Sequence, residues 1–333
     1  MGEMGMIFCI MGAMIGAGFA SGRELMQFFS RYGGFSWVLI LISGITIQIL
    51  MLQMMKNGKN GMQGLIPSGR TGIFCRGVIC LLLIAAAGSM TAAAGELAAL
   101  TLPIHAARWM GMTCTLIGCL AGSRYPLGIM GHLGKILLPL LIGAFLLCMR
   151  IPGEEINTEL SACEMLLASV KAIGYAGMNG MLSAGILCEA GAACEPRGIC
   201  RKAAWAAGAM IAVLFLGNGV LVHHRELQDA PLPMVILLQH FGKPGYYLSA
   251  GVLYLAVVTT LIAALQGLTA MLGERLSFPR IIAGLLSAMM ALAGFERIVG
   301  MAYPGLGLIC IAIFLLPKKK GGGLIQPPVH IPE

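Results

Sequence analysis

Charged residues are scarce in this chain. They make up 11% of its 333 residues, whereas soluble domains usually contain about 25%. Hydrophobic residues make up 58%, and the mean hydropathy is +0.87. A soluble domain of this length could not bury so much apolar surface. The composition therefore excludes a soluble enzyme, a DNA-binding protein and a disordered chain, and it indicates a membrane protein.

The sequence also lacks the motifs of common enzymes and metal sites. It contains no Cys-x-x-Cys pair, no His-Glu-x-x-His zinc motif, no Gly-x-Ser-x-Gly elbow and no Gly-x-x-x-x-Gly-Lys-Ser/Thr loop. The 11 cysteines lie mostly inside apolar runs, where we expect them to pack as small apolar side chains. We therefore expect no enzymatic activity and no bound cofactor apart from a coupling ion.

The apolar residues fall into ten runs that we interpret as transmembrane helices. An apolar bilayer leaves unpaired backbone groups no other partner, and the runs are too long and unpatterned for barrel strands. The ten predicted spans cover residues 4–29, 35–55, 78–102, 106–121, 135–149, 166–189, 203–222, 245–267, 281–295 and 299–316. An all-α membrane protein with five spans in residues 1–151, five in 152–317 and a tail over 318–333 is thus predicted.

The distribution of lysine and arginine predicts how these spans are oriented. With the N-terminus inside, 14 of the 22 Lys and Arg residues lie in cytoplasmic segments and seven in outer ones, as the positive-inside rule requires. An even number of spans places the C-terminus inside as well. The net charge of +8 is then largely explained by the inner face, so we expect the lipid bilayer, and no nucleic acid, as a partner.

Glycines interrupt the first span of each half. Span one has four glycines within residues 12–22, followed directly by Arg23 and Glu24, and span six has three glycines within residues 174–180. Halves with an odd number of spans insert in opposite orientations, and matching interrupted helices in such halves indicate a transporter site at the bilayer midplane. Close packing between small-residue helices is the alternative explanation.

Two short segments resemble a known family. Residues 16–29, GAGFASGRELMQFF, are similar to the first helix of YkvI-type bacterial membrane proteins, and residues 175–179, YAGMN, are similar to their sixth helix. Those proteins are grouped with the amino-acid permeases of the amino acid–polyamine–organocation superfamily. The resemblance implies a LeuT-type 5+5 inverted repeat with helices 1 and 6 broken, in the bacterial cytoplasmic membrane.

The resemblance also implies where a substrate would bind. In that superfamily the amides of a Gly-x-Gly motif, here Gly16-Ala17-Gly18, hold the substrate carboxylate. Tyr175 and Asn179 are four residues apart, so a helix would place both on one face. The residues expected to contact substrate are Gly16, Ala17, Gly18, Phe19, Glu24, Gly174, Tyr175, Gly177 and Asn179.

A Na⁺ site is implied by the same resemblance. Sodium-coupled relatives bind the ion through backbone carbonyls that correspond to Gly12 and Ile15, and through two hydroxyls on helix 8 that correspond to Thr259 and Thr260. Carbonyl and hydroxyl oxygens suit a hard cation, although threonine hydroxyls in a membrane helix often bond only to the preceding turn. Proton coupling stays open, with Lys135 as the candidate in place of Na⁺ or as an ordinary inner-face lysine.

Charged groups at membrane depth are costly and indicate function by default. Arg23 is expected to act as an outer gate, with Glu96 or Glu296 as its partner, unless it reaches to the outer interface instead. Glu96 is equally explained as a structural hydrogen-bond acceptor.

The sequence thus predicts a secondary active transporter of a small zwitterionic solute, an amino acid in the simplest case, that works by alternating access and is driven by Na⁺ or H⁺. The alternative is a non-transporting membrane sensor on the same fold, like the membrane subunits of spore germinant receptors.

Overall fold

The computed structural model describes residues 2–156, 158–273, 278–292 and 307–316. Within these ranges the regular structure consists of helices and short 3₁₀ turns, without strands. The helices are α1 (Glu3–Met14), α2 (Ala17–Ala20), α3 (Arg23–Phe28), α4 (Ser36–Lys56), α5 (Arg70–Thr101), α6 (Ala107–Gly122), α7 (Pro126–Cys148), α8 (Ala162–Ala192), α9 (Pro196–Leu221), α10 (Pro233–Gln239), α11 (Gly242–Leu272), α12 (Pro279–Ala291) and α13 (307–315).

Five segments of the described chain are long and apolar enough to cross a membrane. They are Ser30–Lys56, which contains α4, and the helices α5, α7, α9 and α11. Large apolar side chains such as Ile45, Phe74 and Leu285 are more than half exposed on the outside of the molecule. Such a surface is suited to lipid rather than water, so the chain is a multi-pass membrane protein.

Most predicted spans coincide with helices, and the loop between α9 and α11 contains the short helix α10. Helices α5 and α7 begin eight and nine residues before their predicted spans. The predicted span for α5 began too late because Arg70 and Arg76 make the first turns of this helix polar. Helix α7 begins at Pro126, since proline is favoured at the first helical position. Parts of spans nine and ten and the tail over 318–333 lie outside the described residues.

The helices pack as two groups. Helices α1 and α4 each contact α8 and α9, whereas α5 contacts α6, α11 and α12. Helix α7 lies between the groups and packs against both α1 and α11. The space between the two groups is therefore bordered by α1, α8 and α11.

The predicted break in span six is wrong. Helix α8 runs without interruption over Ala162–Ala192. Its glycines serve packing instead: a β-carbon at Gly177 would lie 2.7 Å from the Gly307 carbonyl oxygen of α13, and one at Gly174 would lie 3.2 Å from Leu308. Because an unpaired backbone group in an apolar interior costs several kcal/mol, about 1 kcal/mol of lost helix propensity per glycine does not unwind the helix.

Candidate functional site

The break predicted in span one is present. Helix α1 ends at Met14, and the next two residues are extended, with φ −85° and ψ 96° at Ile15 and φ −87° and ψ 172° at Gly16. The chain then forms the single turn α2 and bends at Gly22, whose φ of +81° is favourable only for glycine. Two extended residues cannot continue the helical hydrogen bonding, so backbone groups on both sides of the break lose their helical partners.

The break borders a small cavity between the two helix groups. Its volume is about 30 Å³, enough for about two water molecules. The lining residues are Ala13, Met14, Gly16, Ala17, Gly18, Arg23, Glu24, Gln27 and Phe28 from the first span, Met90 of α5, Asn179 and Leu182 of α8, and Thr260 of α11.

Glu24 points back from α3 onto the interrupted segment. A β-carbon at Gly18 would lie 2.7 Å from Glu24 Cδ and 2.8 Å from Glu24 Cγ, so only glycine leaves room for this carboxyl group. The Glu24 side chain is buried, and its Oε2 atom has no hydrogen-bond partner among the described residues. The first span therefore places a carboxyl group, as well as backbone amides, in the cavity.

Tyr175 of α8 is the ionisable residue that interacts with Glu24. The tyrosine is fully buried, and its hydroxyl also lacks a hydrogen bond of normal geometry. Its ring packs against Phe28 and Phe29, with ring centroids 5.2 and 5.1 Å apart. Two polar groups with unused bonding capacity are thus enclosed by aromatic side chains.

Ser183 is a site residue that the sequence reasoning missed. Its hydroxyl lies 2.9 Å from the Ala13 carbonyl oxygen in the last turn of α1 and 2.8 Å from the Asn179 carbonyl oxygen. It therefore binds α8 to the end of the broken helix. The available signal was its position four residues after Asn179, which puts it on the helix face that already carried two predicted residues.

The predicted substrate residues do not all meet. Gly16, Ala17, Gly18, Glu24 and Asn179 line the cavity. Tyr175 does not line the cavity itself but neighbours Glu24, which does. Phe19 packs edge-on against Phe145 of α7, with ring centroids 6.1 Å apart. Gly174 and Gly177 face α13 and not the cavity, because they allow α8 and α13 to pack closely.

The predicted ion ligands lie on two helices, with Gly12 and Ile15 at the end of α1 and Thr259 and Thr260 on α11. The Thr259 and Thr260 hydroxyls donate to the Ala256 carbonyl oxygen over 3.0 and 2.8 Å, which is the backbone bond expected of helical threonines. Thr260 also faces the break, since a β-carbon at Gly16 would lie 3.3 Å from its Oγ1. Lys135, the candidate for proton coupling, has an exposed side chain on α7 and does not line the cavity.

The predicted outer gate is not formed in this conformation. Glu96 of α5 pairs with Arg108 of α6 over 2.6 Å, and both side chains are about half exposed. Arg23 lines the cavity and makes no ion pair with any acid in the described part of the chain. Glu296, the other predicted partner, lies outside the described residues.

A polar contact also joins the two helix groups on the other side of the break. Gln266 Nε2 of α11 donates to Glu189 Oε2 of α8 over 2.9 Å. This contact ties α8 to α11. Cys9 of α1 is fully buried.

Two Bacillus subtilis (strain 168) proteins resemble the chain over nearly its whole length. The uncharacterized protein YyaD is 25% identical over 327 residues, 93% of this chain and 96% of that protein. The uncharacterized membrane protein YkvI is 23% identical over 336 residues, 94% of each chain. The chain is thus similar to a YkvI-type membrane protein along nearly all of its length. The expected resemblance is thereby confirmed, and no family model matches the chain.

Solved transporter structures share the architecture. MhsT in complex with L-phenylalanine aligns with a TM-score of 0.68 at 14% identity, over 94% of this chain and 86% of that one. A mutant of the Eremococcus coleocola manganese transporter aligns with a TM-score of 0.57 at 13% identity, over 94% and 76%. At such low identity the likeness shows the fold, which is that of LeuT-fold transporters.

Proposed function

We propose that the chain is a secondary active transporter of a small zwitterionic solute, an amino acid in the simplest case. The observation that carries this proposal is the broken first helix, which opens onto a cavity between the two helix groups. Both groups line the cavity, through Glu24 and Asn179 on one side and Met90 and Thr260 on the other. Movement of one group against the other would expose the cavity to either side of the membrane in turn.

The arrangement of the groups supports ten membrane helices in a 5+5 inverted repeat. Residues 1–151 supply α1 and α4 to one group and α5 and α6 to the other. Residues 152–317 supply α8 and α9 to the first group and α11 and α12 to the second, in the same order along the chain. With this repeat and the positive-inside rule, both termini lie in the cytoplasm of a bacterial cell.

Na⁺ is proposed as the coupling ion. The Thr259 and Thr260 hydroxyls use their hydrogens on Ala256, which leaves oxygen lone pairs for a cation. Ile15, at the break, supplies a carbonyl outside any helix, and Gly12 supplies one from the last turn of α1. Oxygen ligands of this kind suit a hard cation. A proton is the second candidate, because the buried Glu24 carboxyl is able to carry one.

Uptake by proteoliposomes tests this function. Purified protein is reconstituted and offered single radiolabelled amino acids, with Na⁺ and H⁺ gradients imposed separately and protein-free liposomes as the control. We expect concentrative uptake driven by the Na⁺ gradient. Uptake driven only by the H⁺ gradient would show that the coupling ion is a proton and not Na⁺. Saturable binding without any uptake would favour a sensor.

A further inference from the structure

The cavity contains a buried acid without a basic partner. Glu24 is 8% exposed, and Oε2 makes no hydrogen bond within the described chain. Its interacting neighbour on α8 is Tyr175, which supplies no positive charge at neutral pH. Arg23 lines the same cavity but forms no ion pair with Glu24, because adjacent helical residues point about 100° apart.

When Glu24 is ionised, a cation from outside the chain would stabilise it. Burying an unpaired carboxylate is costly, whereas pairing it with a hydrogen-bonded cation offsets the cost. We infer that Glu24 binds the ammonium group of the substrate, so that the site selects solutes that carry a primary amine. This inference rests on the proposed transport function, and it identifies the primary amine as the group by which the site recognises its substrate.

The position of Glu24 also changes where a substrate carboxylate binds. The Glu24 side chain lies directly against Gly18, beside the amides that the family resemblance assigned to the carboxylate. A second carboxylate placed there would be repelled by Glu24. Arg23 is the free basic side chain of the cavity lining, and its guanidinium matches the geometry of a carboxylate. The substrate therefore lies with its amine toward Gly18 and any carboxylate toward Arg23.

The other side chains that line the cavity determine which carbon skeleton the substrate can have. Met14, Phe28, Met90 and Leu182 contribute apolar surface around the two charged groups. No described carboxamide or hydroxyl other than those of Gln27, Asn179 and Thr260 lines the cavity. The carbon skeleton between the charged ends is therefore small and apolar. The substrate carboxylate contributes less to binding than the amine does, because Arg23 is only half-buried.

Matched substrate triads test the assignment on the native protein. Alanine, leucine and phenylalanine are each compared with the amine that lacks the carboxylate (ethylamine, isopentylamine, phenethylamine). They are also compared with the acid that lacks the amine (propionate, 4-methylpentanoate, 3-phenylpropionate). The assays are competition with amino-acid uptake in proteoliposomes and thermal stabilisation of the detergent-solubilised protein. We expect at least one amine to compete and to stabilise, and its matched acid to do neither.

Two contrary outcomes are distinguishable. Competition by an acid but not by its amine would overturn the role of Glu24 and leave transport intact. Failure of every amino acid to be taken up would remove the proposed function, and this inference with it. In support, Glu24→Gln should weaken amine binding about tenfold to a hundredfold, the range for a charge-assisted hydrogen bond. Glu155→Gln, at an exposed outer-loop acid, is the matched control and should leave binding unchanged.

Discussion

Replacing Gly18 with alanine tests recognition separately from folding. The new β-carbon would lie 2.7 Å from Glu24 Cδ, whereas carbon atoms pack best at about 3.5–4.0 Å. The carboxyl group must therefore move by roughly 1 Å, measured as the difference between these two separations. Because the overlapping atoms belong to the end of a flexible side chain, the backbone of α2 can stay in place.

Such a shift should impair uptake far more than stability. A hydrogen bond to a charged group contributes about 1.5–3 kcal/mol, so losing its geometry lowers affinity for an amine about tenfold to a hundredfold. The free energy of unfolding should change by no more than about 1 kcal/mol, because alanine gains about that much helix propensity over glycine and offsets the crowding. Initial uptake rates over a range of substrate concentrations and thermal unfolding in detergent measure the two effects separately.

A second substitution makes the test specific. Glu24→Asp shortens the acid by one methylene and relieves the overlap at Cδ, while the contact of Cγ with alanine at position 18 remains. The double variant should therefore lose less than the two single losses combined. Gly208→Ala in α9 is the control, since its β-carbon would have no neighbour within 4 Å. Native uptake by Gly18→Ala, or an equal loss in Gly208→Ala, would refute the role given to the Glu24 carboxyl.

Three further changes test neighbouring features. Thr259→Val combined with Thr260→Ala removes both hydroxyls and should abolish stimulation of uptake by Na⁺; unchanged stimulation would exclude this ion site. Gly177→Ala should lower the free energy of unfolding by roughly 1–3 kcal/mol, because its β-carbon would overlap α13, and a native melting temperature would contradict that packing. Gln266→Ala removes the hydrogen bond from α11 to α8 and should speed labelling of the buried Cys9 by a thiol reagent, in a background without the other cysteines; an unchanged rate would show that this contact does not restrict access to Cys9.

The two glycine-rich spans show how far sequence reasoning reaches. In span one the break follows from local chemistry, because glycines weaken the helix on both sides of Ile15 and Gly22 takes a left-handed conformation. In span six the same residue type has the opposite meaning. Gly174 and Gly177 face α13, more than 120 residues away in the chain, and this contact is not encoded in the local pattern. Local glycine content thus predicts weakness, whereas the packing partner decides whether the helix breaks.

The site residues divide in the same way. Glu24 was predicted because a charge at membrane depth stands out in any sequence. Its placement against Gly18 depends on the bend at Gly22 between α2 and α3, and so it emerges only from the structure. Ser183 went unnoticed because a serine in a membrane helix is ordinary until its hydroxyl is seen at the end of α1.

The continuity of α8 bears directly on how charge is recognised here. An unbroken helix keeps its amides and carbonyls in its own hydrogen bonds, so α8 offers only side chains such as Asn179 to the cavity. The freed backbone groups then come from one span alone, and a helix end carries only about half a unit charge. A carboxylate and a guanidinium carry a full unit each. The electrostatics of this cavity are therefore governed by Glu24 and Arg23, and substrate selection should follow these two side chains more closely than the Gly-x-Gly segment beside them.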